Sequence, residues 1–424
     1  MRDVTTKWID TIPSNWERKR LKDVFTFGSG LSISKEDLQE TGIPVISYGQ
    51  IHAKFNTGVT IDDRLLRYVS PDYLESGVTS LVHEGDFIFA DTSEDIEGSG
   101  NNVYVDREMQ LFAGYHTVIL KSREKRNNKY LAYLFQSDAW RAQIRSRVCG
   151  VKIFSITKAI LNGLSIVLPP YDEQLKIVAY LDEKIASMNS YIDARSTELD
   201  LLKAFKKSKI AETVIHGLKA DAATKSSPLG EVPAHWEVIR LKNFATTIKG
   251  KASDYYDEPV PGSRLVLSVD VLRTGNPQAY NYAICDDPEQ LCNQDDIVMI
   301  WDGAGVGEFL RAQDGLISST TAKFALDKDK IYSRYFWYFG GRVEEIMKHM
   351  PTGMGIPHVN PNILNNMEFA IPPLSEQQEI ARYLDHECEQ IDRKCALIEQ
   401  QIEKLQLLKR ALINEIVTGK RQIA

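Results

Sequence analysis

The sequence predicts an α+β protein made twice over: two similar α+β modules, each followed by one long helix. The two helices are expected to pair antiparallel as a coiled coil about an approximate two-fold axis. Two observations carry this. The stretch Leu168–Lys219, opening LPPYDEQ, returns at Ile371–Lys420, opening IPPLSEQ, with thirteen identical positions and no gap at a shift of 203 residues. They include Pro169/Pro372, Pro170/Pro373, Glu173/Glu376, Gln174/Gln377 and Asp182/Asp385. The start of each module recurs as well: IPSNWERKRLK from Ile12 comes back as VPAHWEVIRLK from Val232, at a shift of 220. Internal repeats of this kind settle architecture ahead of local propensity.

In chain order, the first module is 1–167, its helix 168–219, the second module 220–370 and its helix 371–424. IPVISYGQI (43–51) answers RLVLSVDVL (264–272), both reading as buried strands. EGDFIFA (84–90) answers QDDIVMI (294–300), a turn and then a strand, and AGYHTVIL (113–120) answers SSTTAKFAL (318–326). KYLAYLFQSDAWRAQI (129–144) answers IYSRYFWYFGGRVEEI (331–346), both helical by apolar spacing. CGVKIFSITKAILNGLSIVLPP (149–170) answers TGMGIPHVNPNILNNMEFAIPP (352–373). Between Tyr171 and His216 there is neither Pro nor Gly, and apolar residues recur in steps of three and four from Ile177 to Val214 and from Ile380 to Ile416. That is the narrow seam of a coiled coil, which needs a partner helix. The Pro pairs start the helices, and Gly217 and Gly419 stop them. About 42 residues at ~1.5 Å each give a rod of roughly 60 Å. The Ala/Ser/Lys-rich segment Lys219–Glu231 is expected to be a linker. Since the first module enters the first helix at its start and the second module leaves from its end, the modules should sit at opposite ends of the rod.

Composition bounds the function. Hydrophobic residues make up 43% and charged residues 26% of the chain, as in ordinary soluble proteins. There is no run of ~18 apolar residues for a membrane span, and the N-terminus MRDVTTKWIDTIP carries no apolar signal core. Five cysteines, an odd number without tight pairs, suit a reducing cytoplasm and no metal site. The net charge of −7 argues mildly against nucleic acid. Locally the balance differs: Lys121–Lys158 holds ten basic residues against Glu124 and Asp138, whereas 220–370 has 14 basic and 20 acidic residues. No phosphate loop of the GxxxxGK[ST] kind occurs, GAGVG from Gly303 reads as a turn, and no Ser/His/Asp set stands out. Pro169-Pro170-Tyr171 matches the tail of an amino-methyltransferase motif, but Leu168 stands where the amine acceptor is required. No catalytic apparatus is expected.

A tandem of variable modules, each followed by an (L/I)PPxxEQ helix and opened by an IPxxW-type start, resembles the specificity (S) subunit of type I restriction–modification enzymes. The resemblance covers essentially the whole chain. It implies two target recognition domains held apart by two antiparallel helices, and a bipartite DNA target with an unspecific spacer. It also implies assembly with two methyltransferase (M) subunits, and with two restriction (R) subunits in the full enzyme. Adenine-N6 methylation and S-adenosylmethionine would belong to the M subunits, and ATP and Mg to the R subunits. A rod of roughly 60 Å exceeds one duplex turn of ~34–36 Å, so two half-sites a turn apart are reachable from one face. The competing reading is a non-catalytic coiled-coil scaffold whose end modules bind proteins, which the basic stretch disfavours.

Reading DNA needs phosphate contacts for register and base-edge contacts for sequence. In the first module the candidate cations are Arg141, Arg145, Arg147 and Lys152, beside Gly150. The candidate base readers are Ser47, Tyr48, Gln50, Asn101, Asn102, Tyr115 and His116, on loops after strands. In the second module the candidates are Ser268, Arg273, Ser319, Thr320, Lys323 and His358. On the helices, Lys206/Lys409 and Lys207/Arg410 repeat on what reads as an outer face, and Phe205 and Leu408 lie off the seam. These six are expected to meet the M subunits.

Overall fold

The computed structural model describes residues 9, 11–124, 127–150, 152–219, 223–350, 352 and 355–423. Lys125 and Arg126 of the basic stretch lie outside them. The chain divides into two compact units, Met1–Arg195 with Gln400–Ala424, and Ser196–Glu399.

In the first unit, Phe25–Ser29, Thr117–Ser122, Phe87–Ala90 and Asn102–Tyr104 form an antiparallel sheet in that spatial order. A second sheet runs Arg67–Val69, Ile43–Ile46, Leu111–Ala113, Leu81–Val82, with one parallel pair in the middle. The second unit repeats both orders. Ala245–Lys249, Thr321–Leu326, Ile297–Ile300 and Phe309–Arg311 make one sheet, and Tyr282–Ala283, Arg264–Leu267, Gly315–Ile317 and Leu291–Cys292 make the other. The duplication read from sequence is therefore a duplication of topology. Period-two alternation explains the layering. Phe87 and Phe89 enter the core against Phe135 and Trp140, while Ile88 and Ala90 point the other way, among Ile46, Val82 and Ile119.

Several boundaries differ from the sequence reading, each for a local reason. The strands opening at Ile43 and Arg264 end at Ile46 and Leu267; short helices Tyr48–Ile51 and Val269–Thr274 follow. In the second, Ser268 caps the turn by accepting from Val271 N at 3.2 Å. The stretch 129–144 is two helices, Lys129–Gln136 and Asp138–Arg145, because Ser137 ends one and accepts from Trp140 N at 3.2 Å to start the next. Its true equivalent is also offset from the segment pairing. Tyr130 and Tyr133 correspond to Tyr335 and Tyr338, three residues further along than the apolar spacing suggests. The segment read as a linker contains a hairpin, Thr224–Ser227 with Gly230–Pro233.

The long helices are Tyr171–His216 and Leu374–Val417. Within the first unit, Ile177 and Leu181 share a core with Leu412, Ile413, Ile416 and Val417. Within the second, Lys203 pairs with Glu399 at 3.0 Å, Lys206 with Asp392 at 2.7 Å, and Lys209 with Glu387. Numbers rise on one helix as they fall on the other, so the pairing is antiparallel.

The repeated motifs turn out to be parts of one clasp. Gln174 Nε2 donates to Pro169 O and Gln377 Nε2 to Pro372 O, both at 2.8 Å. Glu173 accepts from Trp16 Nε1 at 2.9 Å, so the module-start Trp and the helix-start Glu are partners. In the second unit His235 Nε2 lies 2.8 Å from Glu376 Oε2. Asp182 accepts from Tyr133 Oη at 2.6 Å and Lys129 Nζ at 2.8 Å; Asp385 accepts from Tyr338 Oη at 2.5 Å and from Arg334. Each module also holds the end of the other long helix. Tyr130 Oη donates to Val417 O at 2.9 Å, and Tyr335 Oη to Val214 O at 3.1 Å. Gly217 and Gly419 terminate the helices at φ +73° and +74°. A Cβ on Gly217 would stand 2.9 Å from the Trp236 ring, so the close approach as well as the backbone angle requires glycine.

Candidate nucleic-acid interface

In the first module, the helix Tyr48–Ile51 and the loop that follows strand Phe87–Ala90 enclose a cleft of about 790 Å³, into which Tyr48, His52, Asn101, His116 and Ile153 project. Of the sequence candidates, Tyr48, Asn101 and His116 meet here, and Tyr115 packs edge-on against Tyr48 at 5.6 Å. His116 is exposed, sits at φ +54°, and its Nδ1 lies 3.4 Å from Asp91 Oδ1.

A hydrogen-bond chain fixes the polarity of the cleft floor. Arg141 Nη1 donates to Asn101 Oδ1 at 2.8 Å, which orients the amide. Asn101 Nδ2 then donates to His52 Nδ1 at 3.1 Å, and His52 Nε2–H donates to Thr92 O at 2.8 Å. His52 thus has a defined tautomer, and its ring stands edge-on to Tyr48. Glu94, Asp95 and Glu97 also line the cleft. Carboxylates are poor company for phosphates and good acceptors for the exocyclic amino groups of cytosine and adenine.

Other candidates are committed inside the module, which corrects the reading of them as surface contacts. Ser47 is fully buried, and Gln50 Oε1 accepts from Ser47 N at 3.1 Å. Asn102 is buried and donates to Gly100 O at 3.0 Å. Arg141 holds Phe135 O, Gln136 and Asn101, and its enclosure pushes the guanidinium down to about 10. Arg145 donates to Glu97 O at 3.2 Å, and Arg147 is partly buried. Arg141 and Arg145 staple the loop that follows strand Phe87–Ala90; Lys152 is the exposed one among the four.

The second module builds the same place with different chemistry. Strand and cap correspondences put Arg273 where the first module has His52 and Glu308 where it has Asn101. The neutral His–Asn bond becomes an Arg273–Glu308 ion pair. Thr320, exposed, takes the position of His116. Asp302 lies 2.6 Å from His358 Nδ1 and 2.9 Å from Lys249 Nζ. Ser319 is partly buried, Ser268 is a helix cap, and Lys323 donates to Leu291 O, so the last two face inward. His52, Thr92, Lys249, Asp302 and Glu308 were not singled out from sequence. The signal was available in the paired module register, which places His52 opposite Arg273.

On the long helices, Phe205 and Leu408 are each 54% exposed. Lys206 and Lys409 do not face outward: Lys206 meets Asp392 at 2.7 Å and Lys409 meets Asn189 at 2.9 Å. Their long stems reach across the seam to polar partners, and burial lowers the Lys409 pKa. Lys207 lies 3.5 Å from Glu345, and Arg410 lies 2.9 Å from Asp138. In the second unit a groove of about 560 Å³ runs beside the first long helix, lined by Ile210, Val214, Phe309, Trp337 and Arg342. Among the described residues no group of His, Cys, Asp and Glu could hold a metal, and no helix is long and apolar enough to cross a membrane.

Comparison with known proteins agrees with this architecture. Residues 13–199 and 233–407 match the family described as type I restriction modification DNA specificity domain. The chain is similar to the type I restriction enzyme MjaVIII specificity subunit of Methanocaldococcus jannaschii, 33% identical over 189 residues, which covers 44% of this chain and 43% of that relative. It is also similar to the putative MjaX specificity subunit of the same organism, 24% identical over 98% of this chain and 96% of that one. Among solved structures, a chain from a study of assembly and conformational transition in the type I R-M system has a TM-score of 0.72. It is 18% identical, with 97% of this chain and 100% of that chain covered. The HsdS subunit from Thermoanaerobacter tengcongensis has a TM-score of 0.52 at 18% identity, covering 97% of this chain and 98% of its own. These structural likenesses establish the fold.

Proposed function

Since the chain belongs to the type I restriction–modification DNA specificity family, we propose that it is the non-catalytic subunit that reads a bipartite DNA target. Each module reads one half, and an unspecific spacer lies between them. The observation that carries this is the duplicated topology. One scaffold presents the same topological position twice, once with a His–Asn pair and once with an Arg–Glu pair. Two different polar sets on one frame suit two different half-sites.

The chain supplies recognition, and two M subunits supply adenine-N6 methylation with their S-adenosylmethionine. R subunits, with ATP and Mg, complete the restriction enzyme. In each unit an exposed apolar residue of a long helix, Leu408 in the first and Phe205 in the second, offers a contact for M-subunit helices. The second module's surplus of acidic residues implies that the M subunits contribute much of the phosphate contact there.

Methylome sequencing of a methylation-free host expressing this chain with its M partner tests the reading. The expected result is one motif in two halves with modified adenines in both. A continuous motif, or no chain-dependent methylation, would refute it.

A further inference from the structure

We propose that Ile153 and Ile356 are apolar wedges, one per module, pushed between stacked base pairs of the two half-sites to seat each module without reading its sequence. The inference rests on the DNA-reading function above. Within segments 149–156 and 352–359, the two loops read CGVKIFSI and TGMGIPHV. Only the glycine and the isoleucine are shared, at the same shift of 203 residues as the long helices. A few residues on, the shared Leu161 and Leu364 are fully buried, so packing accounts for them. Packing does not account for the isoleucines, which are 59% and 60% exposed.

Their placement is also the same. Ile156 N donates to Asp91 O at 2.7 Å and Val359 N to Trp301 O at 2.9 Å, so Ile156 and Val359 are pinned at equivalent points, one residue past the strands Phe87–Ala90 and Ile297–Ile300. Phe154–Ser155 pairs with Thr92–Ser93 in the first module; in the second, His358 bridges to Asp302 and Gly303 N donates to Pro357 O at 2.9 Å. Ile153 consequently stands at the mouth of the cleft lined by Tyr48, His52, Asn101 and His116, next to the exposed Lys152.

The polar chemistry at the two equivalent positions differs, His52–Asn101 against Arg273–Glu308, as expected if they read different bases. An isoleucine reading a base, for instance a thymine methyl group, should differ too. The same residue in both suits a task indifferent to sequence, and inserting an apolar side chain at a base step is such a task. A β-branched side chain is already restricted about χ1, so it loses little freedom on insertion.

The test uses the chain assembled with its M subunits and duplexes carrying its target, with 2-aminopurine placed at successive steps outside the methylated adenines. Binding should raise fluorescence at one step in each half. Ile153→Ala should abolish the rise only in the half read by the first module, and Ile356→Ala only in the other. Each should weaken cognate binding roughly tenfold, and Ile153→Phe should retain the signal. Wild-type fluorescence and affinity in either Ala variant would overturn the proposal. So would a thymine-to-uracil duplex that reproduces the Ala result, since the contact would then be to a methyl group. If the wild-type assembly shows no salt-dependent cognate binding at all, the DNA-reading function itself fails, and the wedge falls with it.

Discussion

Asp385→Ala should loosen the second module from the long helix it opens. Asp385 accepts from Tyr338 Oη at 2.5 Å and from Arg334. Tyr338 is 7% exposed, so its hydroxyl would be left buried without its acceptor, at a cost of about 1–3 kcal/mol. The ion pair is partly solvated, with side chains 31% and 38% exposed, so screening limits its share to about 1 kcal/mol or less. The expected total is about 1–4 kcal/mol, with a coupling energy of about 1 kcal/mol or more between Asp385→Ala and Tyr338→Phe. Because the chain has two units, a single melting curve would blur the effect. Native-state hydrogen exchange resolves it: protection of Ser333–Trp337 should fall, while that of Phe87–Ala90 in the first unit should not. Equal loss in both units, or a coupling under about 0.5 kcal/mol, would show that the clasp does not work as described.

Three further outcomes follow from the same geometry. Burial and the neighbouring carboxylates raise the pKa of Tyr133 and Tyr338 well above the ordinary phenol value of about 10. A raised folded-state pKa means that the stability is fully present below pH ~10 and is lost as pH rises above it; Tyr133→Phe with Tyr338→Phe should flatten that alkaline slope in denaturant titrations. Lys152→Ala should weaken cognate and non-specific binding alike and reduce the salt slope by about one; an unchanged slope would remove it from the phosphate contacts. Replacing Arg273 and Glu308 together by Ala should relax one half of the methylation motif and leave the other intact, read by methylome sequencing.

The large-scale design was legible in the sequence because repetition reports architecture directly. The PPxxEQ and IPxxW segments meet in both units, through Trp16 and Glu173 in the first and through His235, beside Trp236, and Glu376 in the second. Finer features were hidden where apolar spacing was ambiguous. The KY–Y and RY–Y patterns at Lys129 and Arg334 carried the true register, but their meaning lies in hydroxyl groups reaching Asp182 and Asp385, which periodicity does not encode. Strand and short helix could not be separated within 43–51, since a short apolar run fits either period. At the clefts, residue type suggested polar readers, yet Ser47, Asn102 and Arg141 are engaged within the module. Only three-dimensional neighbours distinguish a loop side chain that faces a ligand from one that holds the loop.

Tyr130 hydrogen-bonds to Val417, and Leu412–Val417 complete the core that Ile177 and Leu181 begin. This has a consequence for biosynthesis. The first module cannot close its apolar interior until Leu412–Val417 have left the ribosome. At ~5–20 residues per second, the roughly 230 residues between these segments take about 12–46 s to make. For that interval a nascent chain carries an unfinished greasy surface, and a chain interrupted before Leu412 would lack part of the core of the module synthesised first.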